Sequence, residues 1–284
     1  MGSLEGQIAY ITGAARGQGR AIALRLARDG ADIVACDICA DIETVPYPLS
    51  AKSDLDETVR MVESLGRRCL AGRADVRNQD EVDAITAAAL AEFGRIDILC
   101  ANAGVFSFAP FWEISDDAWD AMFDVTAKGV WHAAKSVAPH MISQLGGCMV
   151  LTASYNGMMP FQNTAHYVAA KHAVMGLMKS FALELGPYDI RVNAVLPGAV
   201  NTKMVDNPAV RDWVAGHPNS TEQEYEAGSR GTSILRGRSR MSPSVIADAV
   251  AFLVSTDARN ITGIGLPVDC GESVIPGINQ NPIA

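Results

Sequence analysis

The sequence predicts a single-domain α/β protein: a doubly wound parallel sheet with helices on both faces. Two observations carry this. Short apolar runs at 8–11, 32–36, 96–101, 149–152, 190–195 and 266–268 alternate with stretches of helical periodicity. No Pro/Ser/Gly-rich linker, low-complexity segment or internal repeat divides the 284 residues, which are enough for one large core, so 1–284 reads as one domain.

The first strand, 8–11, runs into Thr12, Gly13, Ala14, Ala15, Arg16, Gly17, Gln18 and Gly19, and 20–29 then has helical spacing. Glycines in such a turn let the backbone bend tightly, approach a pyrophosphate without a Cβ in the way, and aim helix N-terminal amides at negative charge. The second strand ends in Asp37, where a carboxylate can accept both ribose hydroxyls of an adenosine. A 2′-phosphate there would meet like charge at ~4 Å, costing up to ~4 kcal/mol at an effective dielectric of ~20. The expected cofactor is therefore NAD. Arg16 argues for NADP, because a basic residue in the turn could reach a 2′-phosphate, but Asp37 faces the ribose more directly.

Helix starts are signalled further on. Ser53-Asp54-Leu55-Asp56 reads as a capping box, Asn78 precedes Glu81 by three, and Ser242-Pro243 opens the last long helix. Within the helical run 166–185, Tyr167 and Lys171 are one turn apart on the same face, and Ser154 lies thirteen residues before Tyr167. A phenol, an ammonium and a hydroxyl could converge there. An ammonium within a few ångströms favours the phenolate, so Lys171 is expected to lower the Tyr167 pKa and make it a general acid/base.

The order and spacing of Thr12-Gly13-x-x-x-Gly17-x-Gly19, Asp75-Val76, Asn102-Ala103-Gly104, Ser154, Tyr167-x-x-x-Lys171 and Pro197-Gly198-x-Val200-x-Thr202 resemble the short-chain dehydrogenase/reductases, a Rossmann-like family. The likeness covers nearly the whole chain. An extended segment after Asp37, residues 38–50, is similar to the insertion of the mycofactocin-associated subgroup, which includes carveol dehydrogenase-like enzymes. The resemblance implies that Gly13, Arg16, Gly17, Gln18, Gly19, Asp37 and Ile38 hold the adenosine and pyrophosphate, with Asp75 on the adenine amino group and Val76 beside it. It places Asn102, Ala103 and Gly104 on the adenosine side. Pro197, Gly198, Val200 and Thr202 would serve the nicotinamide amide. Ser154 would orient the substrate oxygen, Tyr167 would exchange the proton, and Lys171 would bond the nicotinamide ribose. The chain departs from the pattern at Thr126-Ala127-Lys128-Gly129, where the family has Asn-x-x-Gly, a helix kink whose carbonyl holds a relay water. A main-chain carbonyl survives the change, so the relay persists if the kink does.

With a net charge of −9 and no basic stripe, nucleic acid is excluded as a partner. No apolar stretch reaches the ~18 residues of a membrane span, and the first strand begins close to Met1, so no membrane, no signal peptide and a cytoplasmic location are expected. The six cysteines lack metal or redox spacing and read as core thiols; the five histidines lack ligand spacing, with His166 and His172 read as helix-face residues, and no metal is expected.

Phe106, Phe108, Phe111 and Trp112 after one strand, and Met158, Met159 and Phe161 between Ser154 and Tyr167, should make a greasy pocket, about half of them serving the core or an interface instead. Residues 201–240, with a helix around 208–215, should form a substrate lid. The expected function is an NAD-dependent oxidoreductase acting on a small apolar secondary alcohol or ketone of carveol-like size. Two alternatives are an NADPH-linked 3-oxoacyl reductase and a non-catalytic NAD-binding protein, for which Thr126 is the hint. The resemblance further implies a homotetramer, with Val130, Ala134, Val174 and Leu177 as candidate interface residues, and a redox partner that reoxidises bound NADH.

Overall fold

A computed structural model describes residues 4–236 and 240–275. Residues 237–239 of the expected lid and both ends of the 1–284 domain therefore lie outside the described residues. The strands are β1 (Ile8–Thr12), β2 (Asp32–Asp37), β3 (Cys69–Arg73), β4 (Ile98–Ala101), β5 (Gly147–Thr152), β6 (Ile190–Pro197) and β7 (Gly265–Val268). They form one parallel sheet in the order β3-β2-β1-β4-β5-β6-β7. The expected doubly wound sheet is present. β3 was not anticipated: its sequence, Cys-Leu-Ala-Gly-Arg, lacks a buried apolar run because it is an edge strand with no fully buried residue.

Successive strand residues go to opposite faces, and both faces are covered. Ala9, Ile11, Ile33 and Ala35 pack with Ile22, Leu26, Ile246 and Val250 of α1 (Gly17–Arg28) and α9 (Pro243–Val254). Ile8, Tyr10, Val34 and Cys36 face the other layer, with Val130, Val137 and Met141 of α5 (Gly129–Gln144) and Val174 and Met178 of α6 (Ala165–Leu185). This double burial explains the near-continuous apolar strands. It also corrects the interface expectation. Val130, Ala134 and Val174 are buried in the chain's own core, and Leu177 packs against it, because these helix faces cover the sheet.

The helix starts are largely as read. Ser242 caps α9 with Pro243 at its first position, and Asn78 caps α3 (Gln79–Phe93) by accepting from the Asp80 amide at 3.0 Å. The box at Ser53 is displaced. α2 (Lys52–Glu63) begins two residues earlier than such a box would set it, with Ala51 at the cap, whose amide donates to the Asp54 carboxylate at 2.8 Å. Alanine has no acceptor, so only half of a box exists. Residues around 119–140 form α4 (Asp116–Phe123) and α5, joined without a break by a π-helical turn, Asp124–Lys128, that contains Thr126.

The strand order reverses between β1 and β4. Such a switch point opens a crevice beyond the carboxyl ends of those strands. Asn102, just after β4, closes its floor, donating from its side chain to the Thr12 carbonyl at 3.1 Å and from its amide to the Thr12 hydroxyl at 3.0 Å.

Candidate active site

The glycine turn between β1 and α1 is shaped by contact as well as by φ. Gly13 has φ +67°, and a Cβ there would lie 2.9 Å from the Ala103 Cα. A Cβ on Gly19 would come within 2.0 Å of the Gly13 carbonyl oxygen. Gly19 therefore lets helix and turn pack closely and does not border the crevice, whereas Gly13, Arg16, Gly17 and Gln18 do. The Gln18 side-chain oxygen is buried without a partner in the protein, as expected of a group waiting for a ligand.

Asp37 is buried at the end of β2 and accepts from the Ala15 amide at 3.0 Å, from the Cys39 amide at 3.2 Å and from the Ser50 hydroxyl. It thus fastens both ends of the 38–50 insertion to the turn. Arg16 is committed elsewhere, donating to the Pro48 carbonyl at 2.6 Å, so its guanidinium serves the insertion. Asp75 borders the crevice but is gripped by Arg77, with contacts from 2.7 to 3.0 Å; the cost of burial is outweighed, and its carboxyl is held below the usual carboxylate range.

A single cavity of about 600 Å³ joins this cradle to the reacting residues. Besides the cradle, Ile38, Val76, Asn102, Ala103, Gly104, Pro197, Gly198, Val200 and Thr202 border it, together with Ser154, Tyr167 and Lys171. The three candidate catalytic side chains therefore converge. Ser154 caps a short turn after β5, its oxygen accepting from the Asn156 amide at 3.2 Å and its hydroxyl pointing to the Pro197 carbonyl at 3.4 Å. Lys171 donates to the Thr152 carbonyl at 2.7 Å and stands 5.7 Å from the centre of the Tyr167 ring.

The electrostatics correct one expectation. Burial pushes the Tyr167 phenol up to about 12, with the Ser154 hydroxyl pulling the other way. Burial also pushes the Lys171 ammonium down to about 7. Lysine does not lower the tyrosine in the unliganded protein, because both groups are desolvated and the ammonium is turned towards Thr152. The departure at Thr126 is harmless in shape. The helix still changes pitch there as a π turn, with Thr126 buried and its hydroxyl on the Met122 sulfur at 3.6 Å.

The walls are apolar, from several elements. Phe106 meets Tyr167 edge-on at 4.9 Å, and Phe108, which does not itself border the cavity, backs the wall by stacking at 4.7 Å on Trp213 of α7 (Pro208–Ala215). Phe161 approaches Trp213 at 5.2 Å, and Met159 also borders the cavity. Phe111, Trp112 and Met158 are exposed and do not border it. Within 201–240, α7 and α8 (Glu222–Ser229) bring Val210, Trp213 and Tyr225 over the pocket. From the insertion, Ile42, Tyr47 and Leu49 border the same cavity, and Tyr47 accepts from the Phe106 amide at 3.1 Å. The insertion thus reaches past the adenosine end towards Tyr167.

Sequence reasoning missed Tyr155, Trp213, Tyr225 and Glu272, all of which border the cavity. Tyr155 adjoins Ser154 and could have been suspected; the others belong to no motif. His166 is fully buried rather than on an open helix face, bonded to the Ser107 hydroxyl at 2.7 Å. Cys36, Cys39, Cys69, Cys100 and Cys148 carry free thiols, and among the described residues no group of His, Cys, Asp or Glu is arranged to hold a metal ion. Among the same residues no helix is long and apolar enough to cross a membrane.

Comparison with known proteins agrees with this geometry. The chain is 43% identical over 278 residues to (-)-trans-carveol dehydrogenase of Rhodococcus erythropolis, covering 96% of this chain and 100% of that one. The crystal structure of carveol dehydrogenase from Mycobacterium avium in complex with NAD matches with a TM-score of 0.94 at 42% identity, over 97% of this chain and 100% of that one. A short chain dehydrogenase from Mycobacterium paratuberculosis bound to NAD matches with a TM-score of 0.89 at 39% identity, over 96% of this chain and 100% of that one. A family model for short chain dehydrogenases matches residues 7–212, and the chain belongs to that family.

Proposed function

We propose that the protein is an NAD-dependent oxidoreductase that interconverts an apolar secondary alcohol of carveol-like size and its ketone. One observation carries the reading: Ser154, Tyr167 and Lys171 stand at the apolar end of a cavity whose other end is a glycine cradle with the Asp37 carboxylate. The cradle fits NAD, since Gly13 bends the backbone at φ +67° where a Cβ would strike Ala103, and the buried Gln18 oxygen lacks a partner among the described residues. Bound NAD supplies the hydride acceptor. Ser154 would hold the substrate oxygen, and Lys171, turned from Thr152 to the nicotinamide ribose, would favour by its charge the Tyr167 phenolate, which would take the hydroxyl proton. The apolar walls exclude water and select for hydrocarbon. Replacing Tyr167 by Phe tests this. Turnover should be lost while NAD binding stays within about threefold, and activity within about tenfold of the parent would remove the assignment.

The Arg16 to Pro48 bond and the buried Asp37 disfavour the NADPH-linked 3-oxoacyl reductase, and the π turn at Thr126 removes the one hint of a non-catalytic NAD-binding protein. The insertion supports a tighter reading, in which NAD is held without ready exchange and a mycofactocin-type redox partner reoxidises NADH in place. Ile42 and Tyr47 are buried beside the cofactor crevice, and a closed cover slows release more than capture. The purified protein should then carry nucleotide and turn over repeatedly only with an artificial electron acceptor; an empty protein that reduces free NAD at an ordinary rate rejects this. A cytoplasmic homotetramer completes the reading. The free thiols of Cys36, Cys39, Cys69, Cys100 and Cys148 suit a reducing compartment, and Trp119, Trp131 and Leu183, exposed on α4, α5 and α6, are candidates for burial between subunits. Sedimentation of a monomer at micromolar concentration contradicts the tetramer.

A further inference from the structure

Glu272 follows β7 in a short turn and has no part in the chemistry described above. Its carboxyl lies along the end of β6, where a Cβ on Gly198 would come within 2.8 Å of the Glu272 Oε2, so the absence of a side chain at 198 makes its place. The neighbouring carbonyl, Pro197, is the one Ser154 points to at 3.4 Å. Glu272 and Tyr155 border the same cavity as Ser154 and Tyr167. The titratable groups facing Glu272 are Tyr155, on the turn after Ser154, and Asp269 at the end of β7. Asp269 is otherwise engaged, accepting from the Gly271 amide at 2.9 Å and the Ser273 amide at 2.8 Å. Among the described residues Tyr155 is the one phenol set against this carboxyl group of two oxygens, and Glu272 borders the cavity.

We propose that Glu272 is a second polar anchor of the substrate pocket, bonding an oxygen of the substrate other than the one oxidised. The preferred substrates then carry two oxygens on an apolar skeleton, a hydroxyl at the reacting carbon and a second hydroxyl or carbonyl across the molecule. The inference rests on the alcohol oxidation proposed above and narrows its substrate class. Burial pushes the Glu272 carboxyl up to about 8, against the Tyr155 phenol and with Asp269. Near neutral pH it is largely a carboxylic acid, which both donates and accepts; a neutral acid can hold a carbonyl as well as a hydroxyl. At higher pH the carboxylate only accepts, and a second carbonyl on the substrate loses its donor.

The test compares cyclohexanol with cyclohexane-1,4-diol on the NAD-loaded protein, with an artificial electron acceptor and free NAD both supplied to reoxidise or replace the reduced cofactor. The parent should show kcat/KM about tenfold or more higher for the diol, mainly through KM. Glu272→Leu should bring the ratio to about one, and the isosteric Glu272→Gln, which keeps a donor and an acceptor, should retain part of it. Equal kcat/KM for the two alcohols in the parent, or a ratio unmoved by Glu272→Leu, overturns the anchor. Absence of turnover on both overturns the alcohol-oxidation reading instead, and the anchor is then decided by calorimetric binding of the same two alcohols. There, tighter binding of the diol that is lost in Glu272→Leu supports it, and equal affinities overturn it.

Discussion

Tyr47 and Phe106 are joined by a hydrogen bond of 3.1 Å in which the Phe106 amide donates to the Tyr47 phenol. Phe106 in turn meets the ring of Tyr167 edge-on. A segment inserted after β2 is thereby tied to the wall of the pocket that holds Tyr167. The two ends of the insertion are held as well, through Cys39 and Ser50 on Asp37, with Pro48 fastened to Arg16. Its middle therefore depends on Tyr47.

Tyr47→Phe should loosen that cover while leaving its apolar contacts. A lost hydrogen bond of ~1 kcal/mol corresponds to roughly fivefold faster NAD release, with a smaller effect on capture. Stopped-flow fluorescence of the bound nucleotide measures both rates. Unchanged release would show that Arg16 and Asp37 alone hold the insertion shut.

Asp37→Ala should shift preference from NAD towards NADP by removing like-charge repulsion, by roughly tenfold to a hundredfold in the affinity ratio. It should also lower stability by ~1–3 kcal/mol, because the amides of Ala15 and Cys39 lose their acceptor. Titration of both nucleotides and thermal melts separate the two effects. A changed melt with an unmoved ratio would mean that Asp37 serves the insertion rather than the ribose.

Thr126→Asn restores the family residue at a position where the π turn already exists. Because the helix distortion does not wait on asparagine here, kcat should change by less than about threefold, with KM constant. A tenfold rise would show that the amide side chain, and not the turn, completes the proton relay.

The doubly wound sheet and the candidate trio were legible because they rest on local signals: apolar runs for the sheet, glycine spacing for the turn, and an i, i+4 pair for Tyr167 and Lys171. β3 was not, since an edge strand needs no apolar run. The polarity of the trio was not legible either. Sequence gives the spacing of Tyr167 and Lys171 but not their burial, and burial moves the phenol up and the ammonium down. Glu272 and Trp213 reach the cavity through tertiary folding of segments far along the chain, so no spacing marks them. Val130 and Val174 show the converse, a clear helical stripe whose partner, sheet or second subunit, is decided only in three dimensions.

Burial of Lys171 carries a cost that can be measured. Its pKa falls from an ordinary value of 10.5 to about 7 in the folded, unliganded protein. Between those values the unfolded chain binds a proton that the folded chain does not, so stability rises with pH across that window, and the full penalty applies below about 7. Lys171→Met keeps the length of the side chain and removes the charge. At pH 7 it should stabilise the NAD-free protein by ~1–3 kcal/mol, a gain reduced by the lost bond to the Thr152 carbonyl, while abolishing turnover. Near pH 10 the gap should close, because lysine is then neutral in the fold at little cost. Thermal melts of parent and variant at the two pH values check this, and a variant no more stable than the parent at pH 7 would mean that Lys171 keeps its charge solvated in the free protein.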